Sequence, residues 1–76
     1  MKEIFLPELG DGIEKATVAY WHARPGDQIS AADDVVEVVT DKATFNIPAG
    51  VDGRLTKICV TVGEDARIGS ALALVE

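Results

Sequence analysis

The sequence has 76 residues, a net charge of −6 at neutral pH and one cysteine. A chain of this length forms a single small domain that buries only about 60% of its unfolded surface, which leaves little room for a substrate cleft. One cysteine excludes an internal disulfide, so folding rests on the 47% of residues that are hydrophobic.

Charge and hydropathy exclude two further classes of partner. The seven Lys and Arg residues do not cluster, whereas binding to nucleic-acid phosphates requires a basic patch. No apolar run approaches the roughly 20 residues that span a bilayer. We therefore expect no nucleic-acid and no membrane partner. The first residues show neither a signal-peptide core nor a basic transit peptide, which predicts a cytoplasmic location, bacterial by preference and the mitochondrial matrix in a eukaryote.

The first half of the chain predicts a strand, a tight turn and a β-hairpin. Residues 18–21 precede the turn sequence Pro25-Gly26-Asp27, and residues 34–39 are rich in valine, which is typical of a strand. Residues 43–47 are predicted to form the next strand, which Pro48 ends. Asp41 and Lys42 lie between these strands at hairpin spacing. The hairpin would present one flexible amine on a rigid support.

The second half repeats the plan of the first half at an offset of 37 residues. The offset places Val18 on Leu55 and Gly26 on Gly63, and it predicts a last strand at residues 71–75. No stretch keeps a 3.6-residue apolar period for three turns, so no helix is expected. Two copies are too few for a solenoid. We predict an all-β flattened barrel of two antiparallel sheets, in which two pseudo-symmetric copies cover each other.

Segments spread along the chain match one known pattern. They are LPELGDGIE at residues 6–14, PGD at 25–27, EVVTDKA at 37–43, IPA at 47–49 and GE at 63–64. Together they resemble the lipoyl domain of 2-oxo acid dehydrogenase complexes, a module of the E2 dihydrolipoyl acyltransferase in the biotinyl/lipoyl-attachment family. The resemblance covers nearly the whole chain. It implies a barrel-sandwich of two four-stranded sheets, with residues 1–76 forming one domain at the N-terminus of a larger protein.

The resemblance assigns a function to Lys42. By position alone, an exposed lysine on a turn is usually a solvated charge. The family implies instead that lipoic acid is joined to the Lys42 amine as an amide, with Asp41 and Ala43 as flanking recognition residues. The implied modifying enzyme is a lipoate–protein ligase or a lipoyl transferase and synthase. The domain would then carry acyl groups and reducing equivalents between a thiamine-diphosphate-dependent E1, the E2 catalytic domain and the dihydrolipoyl dehydrogenase E3, as a monomeric module.

The family further implies that a loop beside the lysine turn helps E1 to choose its domain. In this sequence the candidate recognition residues are Glu8, Leu9, Gly10, Asp11, Gly12, Ile13, Glu14 and Thr40. The glycine-rich loop is not a phosphate cradle, because it lacks the Gly-x-x-x-x-Gly-Lys spacing and a following helix. The alternative interpretation is an ordinary surface loop.

Two rival functions remain open. A biotinyl carrier domain shares the fold and the lysine turn, but such carriers typically have Met on both sides of the lysine, whereas Lys42 has Asp41 and Ala43. An unmodified interaction module or spacer would need no lysine in this setting. The sequence shows no triad, metal cluster or paired carboxylates, so we expect a carrier domain and not an enzyme.

The remaining candidates are interpreted as structural. His22 has no ligand or nucleophile partner in the sequence and is predicted to be a surface strand residue. Cys59 lies in a predicted strand at residues 55–62, where we expect it to fill space. Trp21 is predicted to pack in or against the core. The core candidates are Ile4, Leu6, Val18, Val36, Val38, Ile47, Ile58, Val60, Leu72 and Leu74.

Overall fold

The computed structural model describes residues 2–76, and this part of the chain contains strands and no helix. The strands are β1 (Lys2–Phe5), β2 (Lys15–Trp21), β3 (Gln28–Ile29), β4 (Asp34–Val39), β5 (Thr44–Pro48), β6 (Gly53–Ile58), β7 (Asp65–Arg67) and β8 (Ala71–Val75). Short strands separated by turn sequences are what the β-branched segments and the regularly spaced glycines predict.

The strands form two four-stranded antiparallel sheets. One sheet has the order β1-β8-β6-β3 and the other has the order β5-β4-β2-β7. Each strand of the first sheet has a counterpart at the same position in the second. Adding 37 to the residue numbers of β2, β3 and β4 gives β6, β7 and β8 to within one residue. The predicted flattened barrel with an internal repeat is therefore confirmed.

The core lies between the sheets and is entirely apolar among the described residues. Seven of the ten predicted core residues are buried. Ile58, Val60 and Leu74 are half-buried, and the first two of these pack against the cluster. Val60 lies beyond the end of β6. For Ile58 and Leu74, irregular pairing explains the difference, because a β-bulge moves the following side chains to the other face. The β6–β8 register shifts between Leu55 and Lys57, so strict alternation does not continue through β6.

Three local predictions differ from the structure. Ala43 lies outside β5, which begins at Thr44, and Pro48 is the last residue of β5 and not its stop. Because β5 is an edge strand, it accommodates a residue that has no N–H. Cys59 is exposed and follows the end of β6, so its prediction as a strand residue was wrong.

Two aromatic residues behave largely as the sequence suggests. Trp21 is half-buried, and its indole Nε1 donates a hydrogen bond to the Val60 carbonyl oxygen at 2.8 Å. His22 is exposed, as predicted, but it lies directly after β2, so its prediction as a strand residue was wrong. Its ring makes an edge contact with Tyr20 at a centroid distance of 5.1 Å. Its Nε2 lies 3.3 Å from Asn46 Oδ1.

Candidate functional site

The hairpin of β4 and β5 places Lys42 at an exposed tip. Val39 and Thr44 are the last paired residues of the two strands, and the Thr40 N–H donates to the Ala43 carbonyl oxygen at 2.9 Å. Asp41, Lys42 and Ala43 are all exposed. The predicted hairpin is confirmed, and it rests on a strand, β4, that pairs on both edges.

The hydroxyl of Thr40 organises the backbone of the tip. Thr40 Oγ1 accepts hydrogen bonds from the N–H groups of Lys42 and Ala43, both at 3.2 Å, and donates to the Ala43 carbonyl oxygen at 3.1 Å. A hydroxyl has one donor and two acceptor sites, so all three are used inside the turn. Such a hydroxyl takes the place of a backbone carbonyl in a turn.

No residue of the tip adopts a left-handed conformation. Positive φ angles within residues 2–76 occur only at glycines, and the tip contains none. This excludes the type I′ and II′ turns that most often close two-residue hairpins, since both require positive φ. Besides the backbone hydrogen bond between Thr40 and Ala43, the tip therefore closes through the side chain of Thr40.

The Lys42 amine has no partner in the described part of the chain. The single ion pair among residues 2–76 joins Lys15 Nζ to Asp65 Oδ2 at 3.6 Å, and no hydrogen bond involves Lys42 Nζ or the carboxylate of Asp41 there. A free primary amine on an exposed tip is accessible to an enzyme that acylates it. The residues present fit an amide-linked cofactor, because the side chains beside the lysine are small or short.

The glycine-rich loop lies partly beside this tip. Gly12, Ile13 and Glu14 line one groove together with Thr40, Asp41 and Lys42. The loop is held by hydrogen bonds from the Ile13 N–H to the Gly10 carbonyl oxygen at 3.2 Å and from the Ile68 N–H to the Glu14 carbonyl oxygen at 3.0 Å. The end of the loop is thus a neighbour of the lysine turn.

The rest of the loop does not line the groove beside Lys42. Glu8, Gly10 and Asp11 line a second groove, which shares Gly12, Ile13 and Glu14 with the first groove and also contains Arg67 and Ile68. Leu9 is half-buried and packs against the hydrophobic core, so it anchors the loop. Ala43 lines neither groove. The candidate recognition residues therefore divide into a group beside Lys42 and a group away from it.

The groove beside Lys42 has a second wall that the sequence did not indicate. Thr17 Oγ1 donates to Asp65 Oδ1 at 2.6 Å. This hydrogen bond, with a smaller contribution from the nearby Lys15 amine, lowers the pKa of the Asp65 carboxyl. Thr17 and Asp65 meet because β2 pairs with β7, and this strand order has no local sequence pattern from which it could be derived.

Other kinds of site find no support in the described residues. No group of three or more His, Cys, Asp or Glu side chains within residues 2–76 is placed to hold a metal ion. The same part of the chain has no helix that is long and apolar enough to cross a membrane.

Comparison with known proteins places this geometry in context. The model of the family described as "Biotin-requiring enzyme" matches residues 2–75. The chain is 34% identical over 74 residues to the dihydrolipoyllysine-residue succinyltransferase component of the 2-oxoglutarate dehydrogenase complex of Bartonella vinsonii, covering 97% of this chain. It is 33% identical over 70 residues to the acetyltransferase component of the pyruvate dehydrogenase complex of Bacillus subtilis, covering 92% of this chain.

A third relative is the lipoamide acyltransferase component of the branched-chain alpha-keto acid dehydrogenase complex of Bacillus subtilis, 26% identical over 76 residues. The chain covers 18%, 16% and 18% of the succinyltransferase, the acetyltransferase and this relative. Among solved structures, the lipoyl domain of the 2-oxoglutarate dehydrogenase complex from Azotobacter vinelandii superposes with a TM-score of 0.75 at 28% identity, with 100% of this chain and 96% of that chain covered.

Proposed function

Since the chain belongs to the biotinyl/lipoyl-attachment family as a lipoyl domain of the E2 type, we propose that it is a carrier domain whose Lys42 bears lipoate as an amide. The observation that carries this proposal is the free Lys42 amine at the tip of an ordered hairpin. Asp41 and Ala43 flank the amine as short side chains that leave it accessible. The lipoate–protein ligase, or a lipoyl transferase and synthase, would act at this tip.

Attachment requires one bond to form and one to break. The neutral Lys42 amine attacks the acyl carbon of lipoate activated by ATP as its adenylate, the bond to AMP breaks, and the amine loses one proton to solvent. The amide product carries no charge, so the tip loses the cation of Lys42 and retains the carboxylate of Asp41. A bound lipoyl group supplies a dithiolane that carries acyl groups and electrons, while the protein supplies presentation and recognition.

The fold serves this function by giving a long arm a rigid origin. The lysine side chain is flexible, whereas β4 is paired with β5 on one edge and with β2 on the other. An arm tethered in this way meets its enzymes at the effective concentration that the tether sets, and not at their bulk concentration. The chain itself acts as a substrate and carrier for other enzymes.

The proposed partners follow from the relatives. The three relatives described above are components of three different 2-oxo acid dehydrogenase complexes, and we place this domain in an E2 of that class. Its partners would be a thiamine-diphosphate-dependent E1, the E2 catalytic domain and E3. The three relatives are bacterial, which supports a bacterial cytoplasm as its location. The chain covers 16–18% of the length of each relative, which supports residues 1–76 as one domain of a larger protein.

Biotin is the second candidate group, because the matching family is described by its biotin-requiring members. The residues that flank Lys42 favour lipoate. Asp41 and Ala43 stand where biotinyl carriers typically have Met, and Met1 is the single methionine of the sequence. The compared relatives are also named as lipoyl or lipoamide proteins.

The test is the intact mass of the protein after incubation with lipoate, ATP and a lipoate–protein ligase. We expect one lipoyl addition to the wild type and none to Lys42→Ala. Lys57→Ala is a matched control, because Lys57 is also exposed but lies within β6, and we expect it to be modified fully.

A parallel incubation with biotin, ATP and a biotin ligase separates the two cofactors. Addition of biotin without addition of lipoate would replace the lipoyl assignment by the biotinyl one. Addition of lipoate to Lys42→Ala would show that another amine is the site. No addition of either group, under conditions that modify a known lipoyl domain, would leave only the unmodified interaction module.

A further inference from the structure

One side chain at the tip has a role that the proposed function does not yet include. Thr40 belonged to the candidate partner-recognition residues, but its hydroxyl points into the turn and uses all its hydrogen-bonding sites there. We propose that Thr40 is the positioning residue for modification of Lys42, holding the lysine backbone in the conformation that the lipoate-attaching enzyme accepts. This inference rests on the proposed lipoylation of Lys42.

Apart from the backbone hydrogen bond from the Thr40 N–H to the Ala43 carbonyl oxygen, the tip has no other means of fixing its backbone. It contains neither proline nor glycine, and none of its residues has a positive φ. Among residues 2–76, no side chain other than that of Thr40 makes a hydrogen bond to residues 41–43. The order of the Lys42 and Ala43 peptide groups therefore depends on one hydroxyl, and a flexible tip would have to be ordered again each time the enzyme bound it.

Thr40 is also well placed to act on Lys42 directly. The N–H of Lys42 donates to Thr40 Oγ1 at 3.2 Å, which fixes the orientation of the peptide group that precedes the Lys42 α-carbon. The N–H of Ala43 donates to the same oxygen, which fixes the peptide group that follows. The direction in which the lysine side chain leaves the backbone is set by these two peptide groups.

Since the hydroxyl is fully bonded within the turn, it has no free proton to offer to a partner protein. Thr40 is also half-buried. Both observations favour an action through Lys42 over direct contact between the hydroxyl and the enzyme.

The decisive variants are Thr40→Val and Thr40→Ser. Valine keeps the branched shape and strand preference of threonine but lacks the hydroxyl, and serine keeps the hydroxyl. Thr44→Val is the matched control, because Thr44 is exposed on the same hairpin, opposite Val39, and its hydroxyl makes no hydrogen bond in the described structure. Thermal unfolding of each variant reports whether the fold is intact.

The measurement is the rate of lipoylation by intact mass, resolved into kcat and KM. We expect kcat/KM to fall about fivefold or more in Thr40→Val, the factor that the net free energy of one hydrogen bond corresponds to. Thr40→Ser and Thr44→Val should stay within about twofold of the wild type, which is the scatter of weak surface substitutions.

Amide hydrogen exchange in the unmodified protein provides a readout that needs no enzyme. The Lys42 and Ala43 amides should exchange several-fold faster in Thr40→Val and at the wild-type rate in Thr44→Val. Slower lipoylation with unchanged exchange of these two amides would mean that the enzyme contacts the hydroxyl itself, which overturns positioning.

The outcomes also separate this inference from the proposed function. Lipoylation of Thr40→Val at the wild-type rate would overturn the role of Thr40 and leave the carrier function intact. Failure of Thr40→Ser to restore the rate would overturn it as well. A wild-type chain that takes no lipoyl group would overturn both.

Discussion

The tip of the lysine hairpin and the two glycine turns of the internal repeat are closed by different devices. The turns at residues 24–27 and 61–64 are equivalent in the internal repeat. Each has glycine as its third residue, with φ angles of 98° at Gly26 and 91° at Gly63. In each, the side chain of the fourth residue accepts a hydrogen bond from the N–H of the first.

The third residue of the lysine tip is Lys42 itself. A site that presents a side chain at this position cannot use glycine, and an L-residue is disfavoured at positive φ. The tip must therefore close with negative φ throughout, and the Thr40 hydroxyl at its first position makes this possible. The comparison teaches that the lysine tip, which carries a functional side chain at its third position, gives up the glycine of the two repeat turns and binds its own N–H groups through a hydroxyl at its first position.

The largest effect on stability should come from a glycine turn. We expect Gly63→Ala to lower the free energy of unfolding by about 1–2 kcal/mol, the cost of placing a β-carbon at positive φ. An added β-carbon at residue 63 would meet no atom within 4 Å, so the cost is conformational and not steric. Urea unfolding measures it.

Lys42→Ala is the control for this substitution and should change the unfolding free energy by less than about 0.5 kcal/mol, as is usual for a surface substitution. Equal destabilisation by the two variants would show that the two kinds of turn are not distinct in their backbone requirements.

A smaller effect should come from the turn at residues 30–33, which contains no glycine. Asp33 accepts a hydrogen bond from the Ser30 N–H at 2.9 Å, and Asp52 reaches across from the β5–β6 connection to accept from the Ala31 N–H at 2.7 Å. We expect Asp52→Ala to cost about 1 kcal/mol, the net value of one hydrogen bond. Urea unfolding checks it.

Asp52→Asn retains an oxygen acceptor and should keep most of this stability. If Asp52→Ala and Asp52→Asn were equally destabilised, the charge of Asp52 and not its hydrogen bond to Ala31 would be responsible.

The smallest effect concerns pH. Hydrogen bonds from the Thr61 hydroxyl and the Thr61 N–H lower the pKa of Glu64, and the Thr17 hydroxyl, followed by Lys15, lowers the pKa of Asp65. A carboxyl whose pKa is lower in the folded state stabilises the fold above its unfolded pKa, and this stabilisation is lost as the pH falls through the folded pKa. The turn at 61–64 should therefore weaken as the pH falls below about 4.

The lysine tip is closed by the Thr40 hydroxyl and not by a carboxylate, so its closure should not depend on pH in this range. NMR titration should give a higher pKa for Glu64 in Thr61→Val and for Asp65 in Thr17→Val, with no change of either in Thr40→Val. A changed pKa of Glu64 or Asp65 in Thr40→Val would contradict a tip that closes independently of these two carboxyls.

The strands and the hairpin could be predicted because their sequence patterns are local. The valine-rich residues 34–39 gave the exact bounds of β4, and the 37-residue repeat placed β8 at residues 71–75. The burial of Val35 and Val36 together could not be read from alternation, because the β4–β5 register shifts between Asp34 and Val36. Bulges of this kind depend on the partner strand and not on the strand's own sequence.

At the candidate site, too, local features could be predicted from the sequence and features that depend on distant strands could not. Lys42 could be proposed as the modified residue because its flanking residues and the hairpin spacing are adjacent in sequence. The role of Thr40 was not identified, since hydroxyl closure depends on the backbone angles of residues 41–43. The wall formed by Thr17 and Asp65 was missed because it requires the pairing of β2 with β7, two strands that are far apart in the chain.

The pairing of β1 has a consequence for how the domain is made. β1 is an edge strand whose neighbour in the sheet is β8. The first strand of the domain therefore cannot form its sheet hydrogen bonds until the last strand has been synthesised. The sheet that carries Lys42 contains β2, β4, β5 and β7, but its inner face stays uncovered until β8 completes the opposite sheet. Such non-local pairing slows folding relative to folds built from local contacts. An enzyme that attaches the proposed lipoyl group would therefore meet an ordered tip only after residues 71–75 have left the ribosome.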